Sequence, residues 1–225
     1  MKSHSLTITA IAAAVAAAYV LVVRPWYLRW GASEDEVRKP LLGDELVPQP
    51  KIQSTRAVTI EAPVEDVWPW LVQLGYGRGG FYSYDLLENA FTRGLGMHAH
   101  YESLDRLVPA LQDLHEGDFV ASAPLDWKDG KYADKMGWTV VRLEPPRLMV
   151  LKNWGAFILE PLDGGRTRFI VRTRGGRTWK DVAANIAWEL PHFIMERGML
   201  LGIKRRAERI KGAGRTQERN GVRVT

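Results

Sequence analysis

The stretch TRAVTIEAPVEDVWPWLVQLG, residues 55–75, decides how the fold begins. From Thr55 to Ala62 neighbouring side chains alternate between two faces, which predicts a β-strand. Pro63 suits the first turn of a helix. The apolar residues that follow recur at helical spacing and form one stripe: Val64, Val67, Trp68 and Leu71. The sequence therefore predicts a strand that leads directly into a helix packed on a core.

A second stretch, GAFILEPLDGGRTRFIVRTR at residues 155–174, predicts a β-hairpin. Asp163-Gly164-Gly165 is a turn sequence between two strands, Gly155–Glu160 and Arg166–Arg174. One face of the second strand carries four arginines: Arg166, Arg168, Arg172 and Arg174. An antiparallel sheet is commonly solvated on one side, so we expect these arginines to face water. Because no aromatic residue is interleaved with them, we expect no nucleic-acid partner.

The remaining elements are predicted from periodicity and turn residues. Three further strands precede the hairpin: Asp118–Ala123, Gly137–Glu144 and Arg147–Trp154. A short helix is expected over Tyr84–Phe91, with Ser83 as its N-cap. A long helix is expected from Thr178 to about Lys211, bent at Pro191. The predicted order is strand, two short helices, antiparallel strands and one long final helix.

This order resembles the START-like, or SRPBCC, superfamily, which includes the pollen allergen Bet v 1, polyketide cyclases and lipid-transfer domains. The resemblance covers residues 54–211 and is carried by the two quoted stretches and by GRGGFYSYDLLENAF, residues 77–91. WGAS at residues 30–33 and MERGMLLGIKRRAE at residues 195–208 are similar to segments of bacterial, membrane-tethered members. The resemblance implies an α+β helix-grip fold, in which a curved antiparallel sheet wraps around the C-terminal helix and leaves an apolar cavity.

The resemblance also implies where a ligand would be contacted: by the concave face of the sheet, by the long helix and by loops at the cavity mouth. Six aromatic residues are the predicted lining: Trp138, Trp154, Phe157, Phe169, Trp188 and Phe193. Enclosed apolar volume favours apolar ligands. The alternative is that these rings are ordinary core packing.

The densest group of polar residues predicts the mouth of this cavity: Arg78, Tyr82, Tyr84, Asp85 and Glu88. Tyrosines beside a carboxylate and an arginine can bind the polar head of a ligand. In an enzyme of the cyclase type, Arg78, Tyr82, Tyr84 and Asp85 would be the catalytic residues, because they can stabilise an enolate. The alternative is structural: Asp85 helps Ser83 to cap a helix, while Arg78 pairs with Asp85 or Glu88.

Composition and motifs exclude several kinds of site. The chain has 225 residues and no cysteine, so thiolate metal sites, disulfides and a cysteine nucleophile are excluded. No phosphate loop, nucleophile elbow or nucleotide fingerprint occurs. Two groups of possible metal ligands lack a telling spacing: His98, His100 and His115, and Glu189, His192 and Glu196. We therefore expect neither a metal nor a cofactor.

Eighteen residues without a charge, Leu6–Val23, predict a membrane anchor. As a helix they would extend roughly 27 Å, close to the thickness of a bilayer's hydrocarbon core. A cleaved signal peptide is the alternative, but arginines and aromatic residues follow at positions 24–30 in place of a small-residue cleavage site. Basic residues after the span predict that the domain lies on the cytoplasmic side of the cell membrane.

Charge is unevenly distributed along the chain. The formal net charge is +5, while the eight basic and two acidic residues from Lys204 to Thr225 give that segment +6. Such a tail is attracted to an anionic lipid surface. We divide the chain into an anchor (residues 1–30), an extended linker (31–53), the helix-grip domain (54–211) and a disordered basic tail (212–225).

These observations favour a membrane-anchored protein that binds an apolar or amphipathic small molecule, such as a lipid, over an enzyme. A cyclase or dehydratase acting on a polyketide-like or other hydrophobic substrate is the first alternative. A membrane-associated interaction module with a filled cavity is the second. The first two hypotheses require a hollow space between sheet and helix, whereas the third has that space filled.

Overall fold

The computed structural model of the protein describes residue 11, residues 13–176 and residues 179–221. Helical residues 13–18 and a π-helical turn at Tyr19–Val23 lead into the first α-helix. The α-helices are α1 (Arg24–Leu28), α2 (Glu34–Arg38), α3 (Val64–Val72), α4 (Asp85–Gly94) and α5 (Trp179–Gly221). The strands are β1 (Ile52–Ile60), β2 (Phe119–Ala121), β3 (Gly137–Glu144), β4 (Leu148–Leu151), β5 (Gly155–Leu162) and β6 (Arg166–Gly175).

The six strands form one antiparallel sheet in the order β1-β6-β5-β4-β3-β2. The predicted hairpin is formed by β5 and β6, with Leu159 opposite Phe169. β1 pairs with the other side of β6, where Val58 lies opposite Phe169. The sheet is curved, and the C-terminal helix α5 packs against it. The prediction of an α+β fold with the helix-grip arrangement is therefore confirmed at the level of the folded domain.

The main core lies between the sheet and the helices α3 and α5. Val67 and Leu71 of the predicted stripe are fully buried on α3. Trp70, 1% exposed, contributes the larger buried ring, whereas Trp68 is partly buried. The strand and helix predicted from residues 55–75 both form, and their apolar side chains face the same core.

Residues 31–47, which we call the strap, differ from the extended linker predicted for residues 31–53. Helix α2 forms within the strap because Ser33 begins it with a capping box. The Ser33 hydroxyl accepts from the Glu36 amide at 3.2 Å, and the Glu36 carboxylate accepts from the Ser33 amide at 2.6 Å. The strap then crosses the face of the sheet that is turned away from the main core, where Leu41 packs in a second apolar cluster.

The strap covers three of the four arginines of β6, so the prediction that this face is turned to water is wrong for Arg168, Arg172 and Arg174, whereas Arg166 bonds to the exposed turn carbonyl of Asp163. Arg168 forms an ion pair with Glu36 at 2.6 Å. Arg172 and Arg174 both reach the Asp44 carboxylate, at 3.1 and 3.4 Å. The Arg172 side chain is 2% exposed. The alternation of β6 was predicted correctly, but its second face is occupied by acidic residues of the strap.

The amino-terminal helical segment, residues 13–28, is docked on α5. Arg24 donates two hydrogen bonds of 2.8 Å to the Glu189 carboxylate, and the buried Tyr27 hydroxyl donates a third of 2.9 Å. The ring of Trp26 meets that of Phe193 edge to face, with 5.5 Å between centroids. Within the described part of the chain, no helix is both long and apolar enough to cross a membrane. The predicted span Leu6–Val23 lies partly outside the described residues.

Helix α5 continues to Gly221, beyond the end that we expected near Lys211, and Pro191 lies inside it. Thr178, its predicted cap, lies outside the described residues. Gly198 and Gly202 let the segment before α4 lie directly on α5. A Cβ atom at Gly202 would overlap the carbonyl oxygen of Tyr82, and one at Gly198 would lie 2.7 Å from the Tyr84 ring.

Candidate functional site

A cavity of about 670 Å³ lies between α4, α5 and the β2-β3 end of the sheet. Helix α4 contributes one wall, including Leu87 and Phe91, and α5 contributes the opposite wall, including Met195 and Met199. Ala123 and Trp138 close it from the sheet side. The space between sheet and helix is therefore hollow, as the resemblance predicts. Its lining is almost entirely apolar.

Aromatic rings form the inner end of the cavity. The centroids of Trp138 and Trp154 lie 4.3 Å apart, and Phe81 meets the Trp138 ring edge to face at 6.1 Å. The indole nitrogen of Trp154 donates to the Glu196 carboxylate at 3.1 Å, which fixes the ring. Tyr101 is held by a 2.8 Å hydrogen bond to the carbonyl of Ser122. These bonds satisfy the polar atoms of two lining rings and leave their faces to the cavity.

The six predicted aromatic residues divide into two groups. Trp138, Trp154 and Trp188 line the cavity. Phe157 and Phe169 are fully buried in the main core, with ring centroids 6.5 Å apart.

Phe193, the sixth of these residues, packs on Tyr27 and Trp30 of the amino-terminal region at 5.6 and 6.3 Å. It follows His192, which faces the cavity, and consecutive residues of a helix point in different directions. The sequence could not show which face of α5 is turned to the cavity.

The predicted polar constellation does not converge on the cavity. Arg78 donates to the carbonyl oxygens of Val72 and Leu111, at 3.0 and 2.8 Å, so the expected pairing with Asp85 or Glu88 is wrong. Asp85 accepts from the amide and hydroxyl of Ser103, at 2.9 and 2.6 Å. Both side chains fix loops.

The N-cap position of α4 is occupied by Tyr84, which makes no side-chain capping bond to the residues that the structure describes, so the predicted capping by Ser83 is also wrong. Asp85 does lie in the first turn of α4, beside the positive end of the helix.

The two tyrosines of that constellation lie against α5, outside the cavity lining. Tyr82 is fully buried with a φ of 56°, and its ring stands 4.9 Å from the Arg206 guanidinium. Burial raises the pKa of Tyr82 to about 12, although Gln73 and the arginines oppose the rise. The ring of Tyr84 lies beside Gly198. Of the five predicted residues, Glu88 lines the cavity.

Glu88 is a polar group in an apolar wall. Its Oε2 atom is buried and has no hydrogen-bond partner among the described residues. Burial raises the pKa of Glu88 to about 7, and the negative charge of Asp85 adds to the rise, while the Ser83 hydroxyl opposes it. A protonated carboxyl group is a hydrogen-bond donor, so near neutral pH Glu88 can offer a proton to a molecule in the cavity.

The lining contains a second acidic group, Glu196, which the sequence analysis considered only as a possible metal ligand. Glu196, 1% exposed, forms a 2.7 Å ion pair with Arg56. Burial opposes its ionisation, but Arg56 and then His192 outweigh that effect and hold the pKa of Glu196 below its usual value. The Nε2 atom of His192 lies 3.6 Å from Glu196 Oε2, and burial, with a smaller contribution from Arg56, lowers the pKa of His192.

The possible metal ligands are dispersed. Glu189 is turned towards Arg24 and Tyr27, away from His192 and Glu196. His98, His100 and His115 are exposed. Among the described residues, no group of three or more histidine, aspartate or glutamate side chains is placed to hold a metal ion.

The mouth of the cavity is rimmed by exposed apolar side chains. Leu87 and Phe91 of α4, with Leu95 directly after that helix, stand opposite Trp188 and Ile194 of α5, and each of the five is 41–51% exposed. The rings of Phe91 and Trp188 lie 5.6 Å apart and connect the two helices. Exposed apolar surface of this extent on a folded domain indicates a place where something else binds.

The wild type is expected to lose stability as pH rises and Glu88 ionises, and Glu88→Gln should abolish this loss because glutamine does not ionise. An unfolded glutamate has a pKa near ~4.3, whereas burial raises the pKa of Glu88 to about 7 in the fold. Its protonated form therefore stabilises the fold fully at low pH, and this contribution disappears as pH rises through about 7. Urea unfolding measures the free energy of unfolding of both proteins between about pH 5 and about pH 8. The free energy of the wild type should fall relative to that of the variant as pH rises through this range.

His192 titrates in the opposite sense, because its lowered pKa favours the neutral form in the fold and its contribution is lost as pH falls. This effect is common to both proteins and cancels in the comparison. A difference between wild type and Glu88→Gln that does not change with pH would contradict the raised pKa of Glu88.

Similarity to known proteins was found among solved structures. No family model and no curated protein matches the chain. A protein from Arthrobacter aurescens, solved by NMR, is 14% identical with a TM-score of 0.36, over 68% of this chain and 86% of that one. A Polyketide_cyc-like protein from Corynebacterium glutamicum, also solved by NMR, is 14% identical with a TM-score of 0.32, over 68% of this chain and 89% of that one. The helix-grip assignment itself rests on the strand order and on the packed C-terminal helix.

Proposed function

We propose that the protein binds an apolar or amphipathic small molecule in the cavity between α4, α5 and the sheet. The observation that carries this proposal is a hollow of about 670 Å³ with an almost entirely apolar lining. Its volume falls within the range of roughly 300–1,000 Å³ that is typical of small-molecule sites. Such a hollow contributes no packing energy when it is empty, so an apolar occupant would stabilise the fold.

Binding is better supported than a cyclase or dehydratase reaction at the four residues named from the sequence. Arg78 and Asp85 already have internal partners, and Tyr82 is fully buried outside the lining. A catalytic group must reach the proton that it transfers, directly or through one water molecule. The interaction-module alternative required a filled cavity, and the space is hollow.

We further propose that the ligand is exchanged with a membrane. The ring of Phe91 on α4 contacts Trp188 on α5, and Phe193 on α5 contacts Trp26 on the amino-terminal segment. Helix α5 therefore contacts α4 at the mouth and the amino-terminal segment on another of its faces. The uncharged run Leu6–Val23 leads into that segment, which supports an anchor beside the domain. Such an anchor, with the basic tail on the cytoplasmic leaflet, would hold the mouth where apolar molecules partition.

The test is to fill the cavity. Ala123 lines it and is 5% exposed, so Ala123→Trp would place a ring in the hollow. The neutral fluorescent probe N-phenyl-1-naphthylamine is expected to bind the wild type and to lose at least about tenfold in affinity for the variant, because the two rings compete for one volume. Ala90→Trp on the exposed side of α4 is the matched control and should bind the probe as the wild type does. Equal binding by a folded Ala123→Trp variant would rule out this cavity as the site.

A further inference from the structure

The lining contains a buried polar atom without a partner among the described residues, Glu88 Oε2, and a histidine, His192, whose Nε2 lies 3.6 Å from the Glu196 carboxylate. We propose that Glu88 and His192 form the polar end of the cavity and bind one uncharged hydroxyl or carbonyl group of an otherwise apolar ligand. This inference rests on the proposed function and specifies the chemical class of its ligand. It concerns residues that the resemblance does not assign.

The two residues lie on adjoining parts of the wall, around Met195. The Ser83 hydroxyl, which is close enough to Glu88 to oppose the rise of its pKa, donates to the sulfur of Met195 at 3.8 Å. His192 precedes Met195 by three positions on α5, and residues three apart are neighbours on a helix surface. Glu88, His192 and Met195 all line the cavity, and we place the polar group of the ligand beside Met195, between the two side chains.

Neighbouring charges are already paired, which leaves these two groups for a ligand. Arg56 neutralises Glu196 through the 2.7 Å ion pair, and Trp154 occupies the second carboxylate oxygen. Asp85 is bonded to Ser103. Glu88 Oε2 remains buried without a partner among the described residues, and buried polar atoms of this kind are nearly always satisfied in folded proteins. A hydroxyl or carbonyl oxygen from the ligand would satisfy it.

The charges around the pair disfavour an anionic ligand. Glu88, Asp85 and Glu196 are all acidic, and none of the cavity-lining residues that the structure describes is a lysine or an arginine. A carboxylate head would therefore be buried without a counterion, because Arg56 is already paired with Glu196, and this is costly. A neutral histidine and a protonated glutamate together offer donors and an acceptor, which matches a neutral polar group.

A cationic head is the competing possibility, because ionised Glu88 and the faces of Trp138 and Trp154 would attract it. Burial of Glu88 favours its protonated form, and removing an ammonium from water costs far more than removing a hydroxyl. The geometry therefore favours the uncharged group. The experiment below treats the cation as a separate outcome.

Three probes with the same twelve-carbon chain distinguish the classes: 1-dodecanol, dodecanoate and dodecyltrimethylammonium. The two ionic probes are kept below their micelle concentrations, and the alcohol is kept below its solubility limit. Each competes with bound N-phenyl-1-naphthylamine at neutral pH. The alcohol is expected to bind about tenfold more tightly than the carboxylate. The hydroxyl group gains a hydrogen bond from the pair, whereas the carboxylate must bury a charge without a counterion. It should also bind more tightly than the ammonium.

Variants of the pair show whether the preference comes from these residues. Glu88→Leu and His192→Leu should each lower the affinity for the alcohol about fivefold, the effect of one lost hydrogen bond, and leave the affinity for the naphthylamine probe within twofold. Glu88→Gln keeps a neutral hydrogen-bonding group and should retain alcohol binding. Glu65→Leu, a change of the same type on the exposed side of α3, is the control and should alter neither affinity.

Each result decides between the two proposals. If the naphthylamine binds but all three chains compete equally, the polar pair is refuted while the cavity stands as a binding site. If the ammonium binds most tightly and Glu88→Gln abolishes that preference, the site accepts cations and the inference is wrong. If the naphthylamine does not bind to the wild type, the proposed function fails and this inference fails with it.

Discussion

Gly202→Ala is expected to lower the free energy of unfolding by about 3 kcal/mol, the upper range for overpacking a tight contact. The added methyl group would overlap the carbonyl oxygen of Tyr82. That residue cannot retreat, because its ring is fully buried between Arg206 and Trp70. Helix α5 would have to move away from the segment before α4, and both walls of the cavity would shift. Urea unfolding followed by tryptophan fluorescence measures the loss.

Gly94→Ala is the matched control for this prediction. Gly94 ends α4, and a Cβ atom there would meet no described atom within 4 Å. Alanine has the higher helix propensity, so this variant should be as stable as the wild type or slightly more stable. If both substitutions changed stability by the same amount, close approach of residues 82–84 would not be the reason for a glycine at position 202.

Glu196→Leu is the second substitution with a large expected effect, a loss of about 3–5 kcal/mol in unfolding free energy. Its partner Arg56 is 2% exposed at the side chain, and the ion pair of 2.7 Å lies inside the fold. Removing the carboxylate leaves a buried guanidinium whose remaining hydrogen bond is to the Tyr27 carbonyl. The same change frees the indole nitrogen of Trp154.

The double variant Arg56→Met with Glu196→Leu should recover part of this loss, because neither charge is then buried without its partner. A thermodynamic cycle of the two single variants and the double variant measures the coupling. The exposed pair of Glu34 and Arg38 is the control: Glu34→Gln should change stability by less than about 1 kcal/mol. A double variant less stable than either single variant would show that the charges are not the dominant cost.

Local patterns along the sequence predict the elements of the fold because each depends on neighbouring residues. The β5-β6 hairpin follows from a turn sequence between alternating stretches, and helix α3 follows from Pro63 and the spacing of its apolar residues. The outer face of β6 could not be predicted in the same way. Its ion-pair partner Glu36 lies 132 residues earlier than Arg168, and alternation is the same whether water or an acidic segment covers it.

The candidate site also contains some features that local sequence predicts and others that depend on distant residues. Trp138, Trp154 and Trp188 lie in the cavity lining, because large rings on a concave surface meet any hollow that exists there, and their role in binding stays a prediction. The polar constellation failed because the partner of Asp85 comes from Ser103, in a loop with few regular signals. The ion pair of Arg56 and Glu196 joins residues 140 positions apart, so periodicity contains no information about it.

The strap determines how far the body of the protein can turn relative to its amino terminus. It is fastened at both ends: Gly31 lies against the backbone of Ala57 and accepts from Arg168, while Asp44 holds Arg172 and Arg174. With Arg24 also bonded to α5, the chain from residue 24 to residue 47 is fastened to the domain at three places. Whatever holds the amino-terminal helix therefore sets the direction in which the cavity opens. Removing residues 1–50 would expose Arg168, Arg172 and Arg174 to solvent, and the direction of the cavity mouth would no longer be fixed.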